Sequence, residues 1–374
     1  MPTLTESVKR VRVAFVGVGD VAERDYLPEW HRLADQAEIS IVCSRSPDRA
    51  RRIADAYGVG SWSTDYREVV AGDVDAVVNL TPIGSHYEIT LAALEAGRHV
   101  YTEKPVALDS SHARILRDRA ATAQLVLVCA PSIMLFPQIV QVRAIIDSGE
   151  LGAIRSARSH ALAGVPPWPG YHSDPTPFFE SAAGPLVDMG VYPLHVLTGL
   201  LGPASTVAAL ASRSRESFTV TEGPFEGKVV AVEADDGWQL LLRLGDCIAS
   251  VEANFSTPGS SAADVELRGD RGAVAFSLFD VAAPISLLRS GEDEWTRIPV
   301  SHEREGGPDH VLGIQHLLEC MRDGRTPVPS VDHAIHVIEI IEAAREAAQS
   351  GMTVTLEVPR DLAFASAAAA GKAS

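Results

Sequence analysis

The sequence predicts an α/β protein: a doubly wound parallel sheet at the N-terminal end, then a second α/β domain built on a predominantly antiparallel open sheet. Three observations predict it. Apolar runs alternate with helical segments from residue 11 to 130, a glycine-rich turn closes the first run, and beyond residue 205 closely spaced strand-like pieces replace the alternation. At about 150 residues per domain a chain of 374 residues suggests two domains. The change in texture puts the boundary at 1–130 and 131–374.

Val11 to Val16 reads as a buried strand, 21–36 as a helix, 39–43 as a strand and 48–57 as a helix. Strands follow at 76–80, 99–101 and 125–128, with a helix over 86–96. Helical crossovers between successive strands require parallel pairing. After residue 130 a helix over 137–147 stops at Ser148-Gly149. The stretch from Pro166 to Pro177 lacks too many amide donors for any regular element and reads as a loop. Strands at 238–244, 248–255, 264–268 and 273–277 are too close together for crossovers, so they pair antiparallel. Helical periodicity returns at 309–322 and 331–349, and the last helix is expected to pack back near the domain junction. The Ala-rich stretch 363–374 has little apolar bulk and is expected to fray.

Hydrophobic residues make up 46% and charged residues 22%, an ordinary globular balance. No run of about 18 apolar residues exists to span a membrane. Lys9-Arg10 before an apolar segment resembles a signal peptide, but Arg12 interrupts that segment and Asp20 ends it. A net charge of −17 repels phosphate backbones and anionic lipid, which argues against nucleic-acid and membrane partners. Cys43, Cys129, Cys247 and Cys320 stand singly, as buried thiols do in a reducing cytoplasm, the expected location.

The first strand runs into Gly17-Val18-Gly19-Asp20-Val21-Ala22, a GxGxxA turn opening a helix. The first glycine permits the tight turn and the second lets the backbone approach a pyrophosphate; the small third residue lets helix pack on sheet. The helix N-terminus supplies amide donors to the phosphates. The N-terminal domain is therefore expected to be a Rossmann domain. An acidic residue at the end of the second strand would hold the ribose hydroxyls of NAD, yet Ser44-Arg45-Ser46 stands there, with Arg49 a turn onward. A hydroxyl and guanidinium groups favour NADP over NAD.

Downstream stand Thr81-Pro82 with His86, then Glu103-Lys104-Pro105 directly after a strand, where the carboxyl ends of a doubly wound sheet face the ligand. Gly184-Pro185-Leu186-Val187-Asp188-Met189-Gly190-Val191-Tyr192-Pro193-Leu194-His195 forms a second block, and Val328 to Ala334 opens the last helix. With these three motifs in order, the chain resembles the glucose-fructose oxidoreductase, inositol dehydrogenase and MocA (Gfo/Idh/MocA) family. The family shows an EKP motif after a Rossmann domain and a GGxxxDxGxHxxD block. Here Ala183 replaces one glycine, Tyr192 takes the usual His position and His195 the usual Asp position.

The resemblance implies an NAD(P)-dependent oxidoreductase acting on a sugar, cyclitol or related polyol, with Lys104, Asp188 and Tyr192 catalytic. Thr81, Pro82, His86, Glu103 and Lys104 join the turn residues Gly17 to Val21 and Ser44, Arg45 and Arg49 at the cofactor. If 186–200 were one helix, Asp188, Tyr192 and His195 would share a face at i, i+4 and i+7. Tyr192 would serve as base or acid, its ordinary pKa near 10 lowered by the Lys104 ammonium. An alternative uses Lys104 itself as base. His195 and the loop residues Trp168, Tyr171, His172 and Asp174 are candidates for binding substrate hydroxyls and stacking on sugar faces. His333 and His336 lack further ligands nearby in the sequence, so no metal is expected. The family's open sheet face commonly makes dimers and tetramers, and a homodimer or homotetramer is expected. The alternatives are an oxidoreductive glycosidase, which oxidises a glycoside and eliminates its aglycone, and a non-catalytic nucleotide-binding regulator.

Overall fold

The computed structural model describes residues 10–358, so the expected fraying of 363–374 lies outside the described residues. These residues divide into two compact units, one of 10–107, 112–130 and 310–327, the other of 108–111, 131–309 and 328–358.

The first unit is built on six parallel strands: β1 (Val11–Val16), β2 (Ala37–Cys43), β3 (Trp62–Ser63), β4 (Ala76–Asn79), β5 (His99–Thr102) and β6 (Leu127–Cys129). Their order is β3-β2-β1-β4-β5-β6, so the winding reverses between β1 and β4 and opens a crevice beyond the carboxyl ends of those strands. Covered on both faces, β4 buries all four of its residues. Local chemistry sets the boundaries of the helix Pro47–Tyr57. The Ser46 hydroxyl accepts from the Arg49 amide, proline occupies the first turn, and Gly58 ends it at φ 65°.

The segment expected as one helix over 21–36 departs from that form. It widens to a π-helical turn over Ala22–Tyr26, where the Leu27 amide bonds back to the Ala22 carbonyl, and then tightens to 3₁₀ over Leu27–Leu33. Pro28 is the physical reason, since it brings no amide donor for an α-helical bond. The short strand β3 and the helices Tyr66–Ala71 and Ser110–Ala123 were not expected. The helix Val311–Asp323 belongs to this unit although it follows residue 131. It fits because Gly313 has no side chain; a Cβ there would lie 2.5 Å from the Tyr101 ring.

The second unit carries a nine-stranded sheet and a separate hairpin. Its strands are β7 (Ile154–Leu162), β8 (Ala204–Ser212), β9 (Ser217–Thr219), β10 (Val229–Ala231), β11 (Gly237–Leu244), β12 (Cys247–Asn254), β13 (Val265–Gly269), β14 (Gly272–Phe276), β15 (Ile285–Arg289), β16 (Thr296–Ile298) and β17 (Val354–Thr355). The order β16-β15-β14-β13-β7-β12-β11-β8-β17 is antiparallel except for the central β7–β12 pair, and β9 and β10 form the hairpin. Alternation of buried and exposed residues along β11 from Trp238 onward marks one face as core and the other as open.

The helices Val191–Leu201 and Val331–Ser350 pack on this sheet and on each other. The first is apolar nearly all round, as a fully buried helix must be. Between them the Thr198 hydroxyl donates to the Leu194 carbonyl (2.6 Å) and accepts from His333 Nε2 (2.7 Å). His195 places Nδ1 2.8 Å from the Val191 carbonyl, with its ring 4.9 Å from that of His333. Burial pushes His195 down to about 4 and lowers His333 well below the usual histidine range.

Both rings are neutral in the fold but protonate in the unfolded chain near pH 6.5. The unfolded state therefore binds more protons, so stability falls as pH drops from about 6.5, and the part due to His195 levels out below about 4. For His195 alone the loss is on the order of 3 kcal/mol. Urea midpoints compared at about pH 7 and about pH 4.5 should show it, and His195→Met should flatten the dependence. An equal dependence in both proteins would contradict this account.

Candidate active site

In the first unit the turn after β1 is defined by a close approach. Gly17 sits at φ 93°, and a Cβ there would lie 2.6 Å from the Thr81 amide nitrogen and 2.7 Å from the Leu80 carbonyl carbon. Only glycine fits where the loops after β1 and β4 meet. The Gly17 amide continues the β1–β2 ladder to the Cys43 carbonyl (2.9 Å), and the Gly19 amide bonds to the Gly17 carbonyl (2.9 Å). The first helical bond runs from the Glu23 amide to the Gly19 carbonyl (3.0 Å), so Asp20 and Val21 stand in the turn whose amides precede any intrahelical acceptor. The Arg49 guanidinium lies 3.6 Å from where a Gly19 Cβ would be. A cradle closed by any side chain, first-turn amides and a nearby guanidinium fit a dinucleotide diphosphate. At the end of β2 the Ser44 amide bonds to the Ser63 carbonyl (3.2 Å), and Arg45 is exposed. Burial, reinforced by the carboxylates of Asp65 and Glu68, pushes the Cys43 thiol up to about 11.

A buried network fixes the two neighbouring loops. Asn79, fully buried at the end of β4, donates to the His86 carbonyl (3.2 Å) and the Thr90 hydroxyl (3.2 Å) and accepts from the Thr81 amide (3.3 Å) and hydroxyl (2.7 Å). His86 ties the Thr81-Pro82 loop to the Lys104-Pro105 loop, with Nε2 2.6 Å from the Thr81 carbonyl and Nδ1 2.8 Å from the Pro105 carbonyl. Burial lowers its pKa against the pull of those carbonyls. Both ring nitrogens thus face backbone oxygens, and the neutral ring donates to one of the two.

Glu103, only 9% exposed, accepts at Oε1 from the Tyr26 hydroxyl (2.5 Å) and at Oε2 from the Lys104 amide (2.9 Å). The Tyr101 hydroxyl lies 2.8 Å from that of Tyr26, and both rings are fully buried. Because the Tyr26 proton points to the carboxylate, Tyr101 is the donor of that pair. Both carboxylate oxygens of Glu103 are thus engaged within the protein. Lys104 is half-buried, and its bond to Pro105 is cis.

In the second unit the block 184–195 does not form one helix. A turn over Pro185–Asp188 breaks at Met189-Gly190, and Val191–Leu201 starts anew. Gly190 lies so close to the preceding turn that a Cβ would be 2.6 Å from the Leu186 carbonyl oxygen. The shared face expected for Asp188, Tyr192 and His195 therefore does not follow from helical spacing. Asp188 is half-buried, while Tyr192 is 9% exposed and packs edge-on to Phe279 at 5.1 Å. His195 is 2% exposed between two helices, its Nδ1 on the Val191 carbonyl and its Nε2 buried with no protein partner.

Trp168 likewise turns to the protein. Its indole donates to the Gly164 carbonyl (3.3 Å), and its ring meets Tyr171, Phe178 and Phe255 edge-on at 5.2 to 5.8 Å. Asp174 pairs with Lys228 at 2.5 Å; burial opposes ionisation, but Lys228 and Thr176 hold its carboxyl at about 2. His172 is exposed. The Pro-rich loop is thus bound to the hairpin β9–β10 by an aromatic cluster and an ion pair. Among the described residues no group of three or more His, Cys, Asp or Glu is arranged to hold a metal, and no helix is long and apolar enough to cross a membrane.

Sequence reasoning missed Tyr26, Tyr101 and Asn79, which act through hydrogen bonds to residues distant in the chain. It also passed over a signal for Lys104: of 32 basic residues only Lys9, Lys104, Lys228 and Lys372 are lysines. A lysine kept in a chain that otherwise uses arginine invites a chemical reason.

Residues 11–130 match the family model described as "Oxidoreductase family, NAD-binding Rossmann fold", and residues 139–275 match the GFO/IDH/MocA C-terminal domain. The chain is 24% identical over 358 residues to a scyllo-inositol 2-dehydrogenase (NAD(+)) of Bacillus subtilis (strain 168), covering 94% of this chain and 98% of that one. It is 32% identical over 195 residues to a D-glucoside 3-dehydrogenase of Escherichia coli (strain K12), covering 51% and 54% respectively. A levoglucosan dehydrogenase solved with NADH and levoglucosan has the same fold at a TM-score of 0.78 and 20% identity, covering 94% of this chain and all of that one.

The close approach at Gly17 makes a sharp test. Gly17→Ala should weaken binding of NADH and NADPH by more than about 10-fold, because the added methyl displaces the loop that frames the cradle. Fluorescence titration measures it, and unchanged affinity would overturn the placement of the cofactor turn.

Proposed function

This chain belongs to the Gfo/Idh/MocA family of oxidoreductases, and from that premise we propose that it moves a hydride between a nicotinamide dinucleotide and a secondary hydroxyl or ketone of a sugar, cyclitol or related polyol. The observation that carries the reading is Lys104, held at the carboxyl end of β5 in the same unit as the Gly17–Gly19 cradle. When bound, the nicotinamide accepts or returns hydride at its C4 position. The protein's part is then to orient the substrate and to manage the proton of its hydroxyl.

Lys104 supplies a positive charge that stabilises a developing alkoxide. Tyr192 takes or returns the hydroxyl proton. Asp188 holds a substrate hydroxyl by accepting its hydrogen bond. The protein's positively charged side chains at the cofactor support a preference for NADP, with exposed Arg45 and Arg49 beside Gly19 receiving a 2′-phosphate. The relatives named for inositol and glucoside dehydrogenation support the substrate class.

The open face of the nine-stranded sheet supports a homodimer or homotetramer. Leu210, Leu241 and Ile248 are 73%, 54% and 50% exposed on neighbouring strands β8, β11 and β12. Three exposed apolar side chains set diagonally across neighbouring strands favour burial against a second copy. Light scattering after size exclusion should give a mass of two or four chains, reduced by Leu241→Arg; a monomeric wild type would refute it.

Purified protein incubated with NADP or NAD and a panel of sugars and cyclitols should develop the reduced-nicotinamide absorbance near 340 nm. Lys104→Ala should lower turnover at least about 100-fold while cofactor affinity changes little, and Arg45→Asp should weaken NADPH binding without weakening NADH binding. Turnover unaffected by Lys104→Ala would sink the mechanism. Release of an aglycone without net reduction would instead favour oxidation and elimination.

A further inference from the structure

The segment that begins at the dinucleotide turn ends, seven residues after Gly19, at the phenol that grips Glu103. Had residues 20–33 formed an uninterrupted α-helix, Tyr26 would face a different direction. The π-helical turn over Ala22–Tyr26 inserts one residue's worth of rotation, roughly 100°. Tyr26 is thereby wholly buried, edge-on to Tyr101 at 5.8 Å and 5.7 Å from the His310 ring.

We propose that Tyr26, assisted by Tyr101, is a positioning residue for Lys104: through Glu103 it fixes the backbone that carries the lysine and ties it to the segment that opens at the phosphate-binding turn. The proposal rests on the role given above to Lys104.

The chain of contacts leaves little freedom. Tyr101 donates to Tyr26, Tyr26 donates to Glu103 Oε1, and Glu103 Oε2 receives the Lys104 amide. On the other side His86 meets the Pro105 carbonyl, so the Lys104-Pro105 backbone is held at both its amide and its carbonyl end. Burial and the Glu103 charge push the Tyr26 phenol well above its ordinary range, so it remains a proton donor throughout the working pH range. Without that donor the carboxylate of a residue 9% exposed would lack a partner at Oε1 and would turn toward solvent. The Lys104 amide would then lose its acceptor. His310, lowered by burial, presses on the Tyr26 ring from the loop that leads into the helix Val311–Asp323, whose Gly313 lets it seat against Tyr101.

Tyr26→Phe keeps the ring and its packing and removes only the donor. Hydrogen exchange read by mass spectrometry on peptides spanning residues 102–108 should accelerate about 10-fold or more at the Lys104 amide, while peptides of β1 and β4 remain unchanged. Glu103→Gln should produce the same local acceleration. With the sugar or cyclitol that the wild type oxidises, each variant should lower kcat about 10-fold with cofactor affinity within about twofold, and the double variant should lose no more than either single one. Unchanged exchange over 102–108 in both variants, or losses in kcat that simply multiply, would overturn the clamp. Exchange needs no substrate, so this outcome is separate from the reading beneath it: turnover that survives Lys104→Ala overturns the role of the lysine and leaves the exchange result standing.

Discussion

Polar groups at the carboxyl edge of a parallel sheet are buried beneath the loops that bind the ligand, and each must find a partner or cost a kilocalorie or more. Side chains meet much of this demand in the first unit, although the Thr102 hydroxyl at the end of β5 is buried with no protein partner. Asn79 divides its amide between the Thr81 loop and the helix His86–Glu95, His86 lies between two loops, and Glu103 takes a phenol and an amide. Loops pinned in this way behave as part of the sheet. Preorganisation of that kind is what proton and hydride chemistry needs, since groups held in place cost no rearrangement when charge develops.

Much of this was legible beforehand because it depends on local rules. A buried parallel strand is a continuous apolar run, and β1 and β4 read that way; the turn at Gly17 to Ala22 advertises itself by residues chosen for the absence of a Cβ. Periodicity placed a helix over 48–57, within a residue of the Pro47–Tyr57 that Ser46 and Gly58 cap. What stayed hidden depends on contacts across the chain. Tyr26 meets Glu103 over a separation of 77 residues, and the twist that aims it there follows from Pro28, a residue outside any motif.

The second unit was harder to read for a different reason. Strand β7 alternates Arg155 and Arg158 with small residues, so its buried face is too slight to stand out, although it lies at the centre of the sheet. The block 184–195 invited a single helix by spacing, but Gly190 is a point of contact with the turn before it, and the helix restarts there. Trp168 and Asp174 carried the signature of a ligand loop, and the hairpin β9–β10, which no periodicity announced, absorbs both into its own packing and ion pairing. His195 sits at a motif position and is buried between two helices, a depth that its place in the sequence pattern did not announce.

The near-exclusive use of arginine has a practical side. The chain has four lysines, Lys9, Lys104, Lys228 and Lys372. Reagents that acylate or reductively alkylate primary amines therefore find few targets on this chain, and one of them is Lys104. Crosslinking or surface immobilisation through amines, harmless to a lysine-rich enzyme, would here count the loop beside the cofactor cradle among a handful of attachment points.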